Sequence, residues 1–251
     1  MYNHHEESIG EMIRHYRENA EIRALFLIGS VATGTERPDS DIDGVAVVPR
    51  AFYEWRRNNG GLEETVHGKC TYEGGYFNIH YMSREHMEEI AGRGSEPMRN
   101  MFSCARVLYC DEPGLPELAA KIPVFPKSEA AAKQLRFYCT LKLYRSYYWL
   151  VCKPEGFMRR HVADGMVYSF YRLILLENEI LFPSVRKLEE TVIRAPGKPE
   201  GAVETCRRFM RTLSDEDCLA LVDGYEAWTS YDFPKNYGVI MNHFTDPYEW
   251  G

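Results

Sequence analysis

The chain has 251 residues, 45% of them hydrophobic and 13% aromatic, which excludes a disordered or fibrous protein and suffices for one large or two modest domains. A count of 30 Lys and Arg against 37 Asp and Glu leaves a net charge of −7, which disfavours a general nucleic-acid surface because phosphate backbones demand basic stripes. The apolar runs, such as Ala24–Ile28 and Leu173–Leu176, are far too short to span a bilayer, and the opening MYNHHEESIG lacks the basic and apolar regions of a secretory signal. The 7 cysteines are odd in number, scattered and never in C-x-x-C spacing. They read as reduced, mostly buried thiols of a cytoplasmic protein rather than a disulfide framework or a zinc site.

Residues 6–19 carry Ile9, Met12, Ile13 and Tyr16 at helical spacing and predict a first helix. Ala24–Ile28 is continuously apolar and stops at Gly29-Ser30, as a buried strand entering a turn does. Ile42–Val48 predicts a second strand, and Phe52–Asn59 a helix. From Glu63 to Met82 the pattern is β, with Val66, Cys70 and Tyr72 before Gly74-Gly75 and Tyr76–Tyr81 after it, so a hairpin is expected. Ser83 has the position of a helix cap, and Ala105–Tyr109 predicts one more strand. Beyond Pro123 and Pro126 the periodicity turns helical, over 128–151, 162–181, 185–193, 202–212 and 215–228. The expected organisation is an α+β class protein with a mixed sheet and flanking helices over residues 1–123. An all-α helical domain follows over 124–251, with an aromatic-rich tail after Tyr231.

The stretch that carries chemistry is Leu25–Gly34 followed by Ser40-Asp41-Ile42-Asp43. A buried strand delivers Gly29-Ser30 into a turn that opens a short helix at Val31. Gly29 permits close backbone approach, and Ser30 offers a hydroxyl and helix-start amides, together an anion cradle suited to phosphate. Asp41 and Asp43 are two apart at the mouth of a strand, so both carboxylates belong on one face and Ile42 on the other. Two such acids repel each other unless a cation lies between them, and Mg²⁺ or Mn²⁺, taking carboxylate and phosphate oxygens together, is the natural occupant. A phosphate cradle beside a metal-binding pair is equipment for attack on a phosphoanhydride.

An apolar run ending in Gly-Ser, a gap of ten residues and then Asp-Ile-Asp resembles the signature of the DNA polymerase β-like nucleotidyltransferase superfamily. That superfamily includes the aminoglycoside and lincosamide nucleotidyltransferases. The motif covers residues 25–48. The resemblance implies a nucleotidyltransferase fold with a helical second domain, Mg²⁺ on Asp41 and Asp43, and a nucleoside triphosphate, ATP foremost, as donor. It also implies a third carboxylate on a neighbouring strand. The strand available is Tyr76–Tyr81, whose polar face offers Asn78 and His80, and Asn78 stands where the acid is expected. An amide coordinates through its oxygen but takes no proton at neutral pH.

The expected activity is therefore transfer of a nucleoside monophosphate to a hydroxyl of a small molecule held between the two domains, with Asp41, Asp43 and Asn78 as the catalytic set. Gly29, Ser30, Ser40 and the loop cation Arg37 are the expected nucleotide contacts. The alternatives are a protein hydroxyl as acceptor, or a nucleotide-binding regulator that has lost catalysis at Asn78. Lys142 and Arg145, on the first long helix of the second half, are further phosphate candidates. The aromatic run Tyr138, Tyr144, Tyr147, Tyr148 and Trp149 reads first as core and second as a stacking wall. Asn178 reads as a buried hydrogen-bonding residue at a helix end, and Asp246, Glu249 and Trp250 as a C-terminal anchor. Oligomeric state has no signature in the sequence.

Overall fold

The structure, a computed structural model, describes residues 1–245, so the expected anchor at Asp246, Glu249 and Trp250 lies outside the described residues. The chain divides into two compact units, Met1–Val124 and the remainder from Phe125 onward.

The first unit runs α1 (Asn3–Arg17), β1 (Ala24–Ile28), α2 (Gly29–Thr33), β2 (Ile42–Val47), α3 (Arg50–Asn58), β3 (Glu63–His67), β4 (Tyr76–Met82), α4 (Arg84–Arg93), α5 (Glu96–Met101), β5 (Arg106–Cys110) and α6 (Leu115–Lys121). Its five strands form one mixed sheet in the order β3-β4-β2-β1-β5. β2 and β4 run parallel, while the other neighbours are antiparallel. All five residues of β1 are buried, as expected of a strand covered on both faces. Leu25, Leu27, Ile42, Ala46, Phe77 and Ile79 pack on one face with Met12 and Tyr16 of α1 and Tyr53 of α3. Phe26, Val45, Val47 and Met82 pack on the other with Met87, Ile90, Leu115 and Ile122. The alternation of strand side chains thus puts Ile42 and Asp43 on opposite faces.

Ser83 caps α4, its Oγ accepting the His86 amide at 3.2 Å. The hairpin is present, but Cys70 and Tyr72 lie in the eight-residue connection between β3 and β4 rather than in a strand. Two short helices, α5 and α6, occupy stretches without a helical pattern of their own. Buried Arg99 of α5 fastens this region, donating to the carbonyls of Gly94 at 3.0 Å and Val124 at 3.3 Å.

The second unit is helical: α7 (Lys127–Leu143), a π-helical turn over Tyr144–Trp149, α8 (Gly156–Glu177), α9 (Val185–Arg194), α10 (Ala202–Thr212), α11 (Asp215–Trp228) and α12 (Tyr237–Thr245). Tyr138, Trp149, Phe170, Phe209 and Tyr225 fill its core. The region read as a tail contains α12, whose Ile240 is buried against Cys139 and Leu143. Asn178 ends α8 with its amide bonded to the Ile174 and Gly197 carbonyls, both at 2.7 Å, and its oxygen takes the Gly197 amide at 2.9 Å. All seven cysteines are free, but only Cys139, Cys206 and Cys218 are buried, a correction to the expectation of mostly buried thiols. Burial pushes the Cys139 thiol up to about 11 and those of Cys206 and Cys218 to about 12, so these three are inert at neutral pH. Among the described residues no helix is long and apolar enough to cross a membrane.

Candidate active site

The site is assembled where β1 ends and β2 and β4 begin. In the sheet register Asp43 lies opposite Ile28 of β1 on one side and Asn78 of β4 on the other. Asn78 turns its amide towards the acid, Nδ2 donating to Asp43 Oδ1 at 3.3 Å. Two residues earlier, at the start of β4 and just before β2, the Tyr76 hydroxyl is hydrogen-bonded to the Asp41 carboxylate. That bond, and the negative charge of Asp41, hold the phenol above its ordinary value. Asp41 with Tyr76 and Asp43 with Asn78 therefore lie either side of the Ile42–Phe77 pair, and strand alternation gives the two acids a common face.

Gly29 is where the turn and the acids meet. Its φ is +71°, in the region that favours glycine, and a β-carbon there would overlap the Asp43 carboxylate. The sequence reading assigned Gly29 to a close approach by phosphate, and the structure shows what else the missing side chain makes room for: Asp43 itself. The turn continues through α2, whose Ser30 carbonyl accepts the Thr33 hydroxyl and the Thr35 amide, both at 3.0 Å. Gly34 closes it with φ +69°.

Of the other expected nucleotide contacts, Ser30 stands at the start of this turn beside Gly29, half-buried. Ser40 is engaged within its loop: its Oγ accepts the Arg37 amide at 2.9 Å, and its carbonyl accepts the Tyr72 hydroxyl. Arg37 is not drawn to the acids. Its side chain is 79% exposed and its Nε lies 3.4 Å from Asp39 Oδ1. His80 is two residues beyond Asn78 on the same face of β4, with Nδ1 at 3.6 Å from Glu63 Oε1. Glu73 is exposed in the connection before β4.

In the helical unit, Lys142 and Arg145 are tied to acids of α11, Lys142 Nζ to Glu226 Oε1 at 2.6 Å and Arg145 to Asp223 at 3.0 Å. Both phosphate candidates are thus engaged in ion pairs within the helical unit. Tyr138 and Trp149 belong to the core, while Tyr144 faces Gly165, where a β-carbon would strike its ring. Sequence reasoning overlooked Tyr76 and Tyr72. Tyr76 was accessible by parity, since it alternates with Asn78 and His80, whereas Tyr72 lies in a connection without periodicity.

The donor set suits a hard divalent cation in part: two carboxylates on one face, next to an amide whose oxygen is the softer third choice. Among the described residues no three His, Cys, Asp or Glu side chains converge in a way that could hold a metal ion.

The family model for a nucleotidyltransferase domain matches residues 9–102, which run from the middle of α1 through α5 and contain Gly29, Asp41, Asp43 and Asn78. No curated protein matches the sequence. The crystal structure of a nucleotidyltransferase-like protein from Exiguobacterium sibiricum 255-15 aligns over 95% of this chain and 75% of that one, at 10% identity and a TM-score of 0.44. Residues 9–102 thus match a nucleotidyltransferase domain, in keeping with the resemblance carried by Gly29-Ser30 and Asp41-Ile42-Asp43.

Proposed function

We propose that the protein transfers a nucleoside monophosphate from a nucleoside triphosphate, with ATP the expected donor, to a hydroxyl of a small molecule. The observation that carries this reading is the placement of Asp43 in the space left by Gly29. It fixes a carboxylate against the Gly29-Ser30 turn, with Asp41 on the same face. Asp41 and Asp43 would hold Mg²⁺ or Mn²⁺, which when bound supplies charge neutralisation for the phosphates and acidifies the attacking hydroxyl. Ser30 and the turn amides stand beside them to receive phosphate oxygens. The acceptor oxygen forms a bond to the α-phosphorus as the bond to the bridging oxygen breaks, and pyrophosphate leaves with that electron pair. Tyr76 and Asn78 donate to the two acids and set their orientation, leaving oxygen lone pairs for the ion. Asn78 cannot accept the proton released by the acceptor. His80, next on that face of β4, is the group there that can.

One observation favours the second reading, a nucleotide-binding protein without turnover: the third position holds a hydrogen-bond donor to Asp43 in place of an acid. Pyrophosphate release from ATP with Mg²⁺ or Mn²⁺, over a panel of hydroxylated small molecules and protein acceptors, separates the two. Turnover by the native protein that is lost in Asp41→Ala/Asp43→Ala supports the enzyme. Activity only after Asn78→Asp supports the silent site. Absence of ATP binding with either metal rejects both.

A further inference from the structure

The first turns of α1 lie outside the residues that match the nucleotidyltransferase domain, yet they are fastened to the loop that carries Asp41. His4 Nε2 is 3.0 Å from the Pro38 carbonyl. The rings of His4 and His5 lie against Tyr72, with centroids at 4.7 and 5.1 Å. Tyr72 in turn donates its hydroxyl to the carbonyl of Ser40, the residue before Asp41. The connection bearing Tyr72 is anchored from beneath by α1. Buried Ser8 accepts the Thr71 amide at 2.9 Å, and the Thr71 hydroxyl donates to the His4 carbonyl at 3.1 Å. Within the loop, the Arg37 amide donates to Ser40 Oγ at 2.9 Å and the Ser40 amide to the Arg37 carbonyl at 3.1 Å. Contacts between segments more than thirty residues apart thus run without a break from α1 to Ser40, the residue before Asp41.

We infer that the N-terminal turn of α1 and Tyr72 form a clamp that fixes the loop between Gly34 and Asp41, making His4 and Tyr72 positioning residues for the metal-binding acid. A free loop of this length visits many conformations, and the ion can bind only the fraction in which Asp41 stands beside Asp43, so restricting the loop raises the competent fraction. Neither residue need touch the nucleotide or the acids. The consequence for metal affinity rests on the nucleotidyl-transfer reading, but the consequence for the loop does not.

The test compares native protein with Tyr72→Phe and His4→Phe, which keep the rings and remove the hydrogen-bonding groups, and with His4→Gln, which keeps a donor. Millisecond amide exchange reads the loop, and electron paramagnetic resonance of free Mn²⁺ in the presence of ATP reads the site. Loss of one hydrogen bond is expected to speed exchange of the Arg37 and Ser40 amides about fivefold in both phenylalanine variants, with β1 and β2 unchanged and His4→Gln near native. The Mn²⁺ dissociation constant should rise about threefold or more in the same variants. Native exchange in both phenylalanine variants overturns the clamp, and faster exchange with unaltered Mn²⁺ affinity overturns its link to Asp41. A native protein that binds no Mn²⁺ with ATP overturns the nucleotidyl-transfer reading instead, and the clamp then stands or falls on exchange alone.

Discussion

The two units treat charge in opposite ways. In the helical unit the cations that a sequence reader would offer to phosphate are matched to acids: Lys142 with Glu226, Arg145 with Asp223, Arg208 with Asp217, Arg159 with Asp215. In the sheet unit the acids at the mouth of β2 are met by neutral donors, a phenol at Asp41 and an amide at Asp43. Two carboxylates side by side attract a cation. An acid matched to arginine offers no such attraction. On the proposed function the chemistry belongs to the sheet unit, and experiment can break that contrast.

The largest effect should come from Gly29. Gly29→Ala imposes a left-handed backbone on alanine, costing about 1–2 kcal/mol, and drives the new methyl into the Asp43 carboxylate. Thermal unfolding should show a loss at least that large, and Mn²⁺ binding should weaken by roughly tenfold or more as Asp43 is displaced. Gly34→Ala is the control. Its φ of +69° brings a similar backbone cost, but nothing lies within 4 Å of the added carbon, so metal binding should stay native. Equal loss of metal affinity in both variants would mean that the turn, and not its contact with Asp43, matters.

How much of this was legible follows from the range of the interactions. β1, α10 and α11 have the bounds read from periodicity, because a continuous apolar run or an amphipathic stripe is a local signal. Gly29, Asp41 and Asp43 were legible for the same reason, since turn, spacing and strand parity all lie within one short segment. Asn178 was legible as a helix-end polar residue in an apolar run. The short helices α5 and α6 were not, since helices of that length depend on packing more than on their own sequence. Arg99, buried at 4% exposure to hold three carbonyls, has no sequence signature that separates it from a surface arginine. The π-helical turn at Tyr144–Trp149 departs from the regular helix read there, and Tyr144 meets Gly165 of the next helix, a neighbour set by tertiary packing. Tyr72 and the histidines of α1 escaped notice because their partners are distant in the chain.

Acid should separate the units next. The His5 ring is fully buried, its two nitrogens without hydrogen-bond partners. Burial, then the neighbouring charge of His4, hold it below its ordinary 6.5, against weaker pulls upward from Glu36 and the Ser40 backbone. The unfolded chain therefore binds a proton that the folded chain resists, so this contribution is intact above pH 6.5 and is lost as pH falls below it. In the helical unit Asp217 is held below its ordinary 3.8 by Arg208 first and by the Thr212 hydroxyl next. Its contribution is intact above 3.8 and lost only as pH falls through the lower folded value. Amide exchange at about pH 5.5 should thus show the first turns of α1 and the Tyr72 connection loosened while α10 and α11 remain protected. His5→Phe should remove the difference between neutral and mildly acidic exchange, and persistence of that difference would place the proton elsewhere.

The smallest effect is expected where the sequence alone pointed to a larger one. Lys142→Ala removes a cation from Glu226, which also accepts the Tyr138 hydroxyl at 2.8 Å. With both ionic partners about one-fifth exposed, the loss should be about 1 kcal/mol of stability, read by denaturant unfolding. If the pair is purely structural, the KM for the nucleoside triphosphate stays within about twofold of native, and Glu226→Gln gives a similar loss of stability. Arg145 is the stricter case, because its Nε is buried without a partner while its outer nitrogen is bound to Asp223. Arg145→Lys keeps the charge but loses the fork, so it should lower stability and leave KM alone. A rise in KM for either variant at undiminished stability would give the helical unit a share of phosphate binding, and the division of labour between the two units would have to be redrawn.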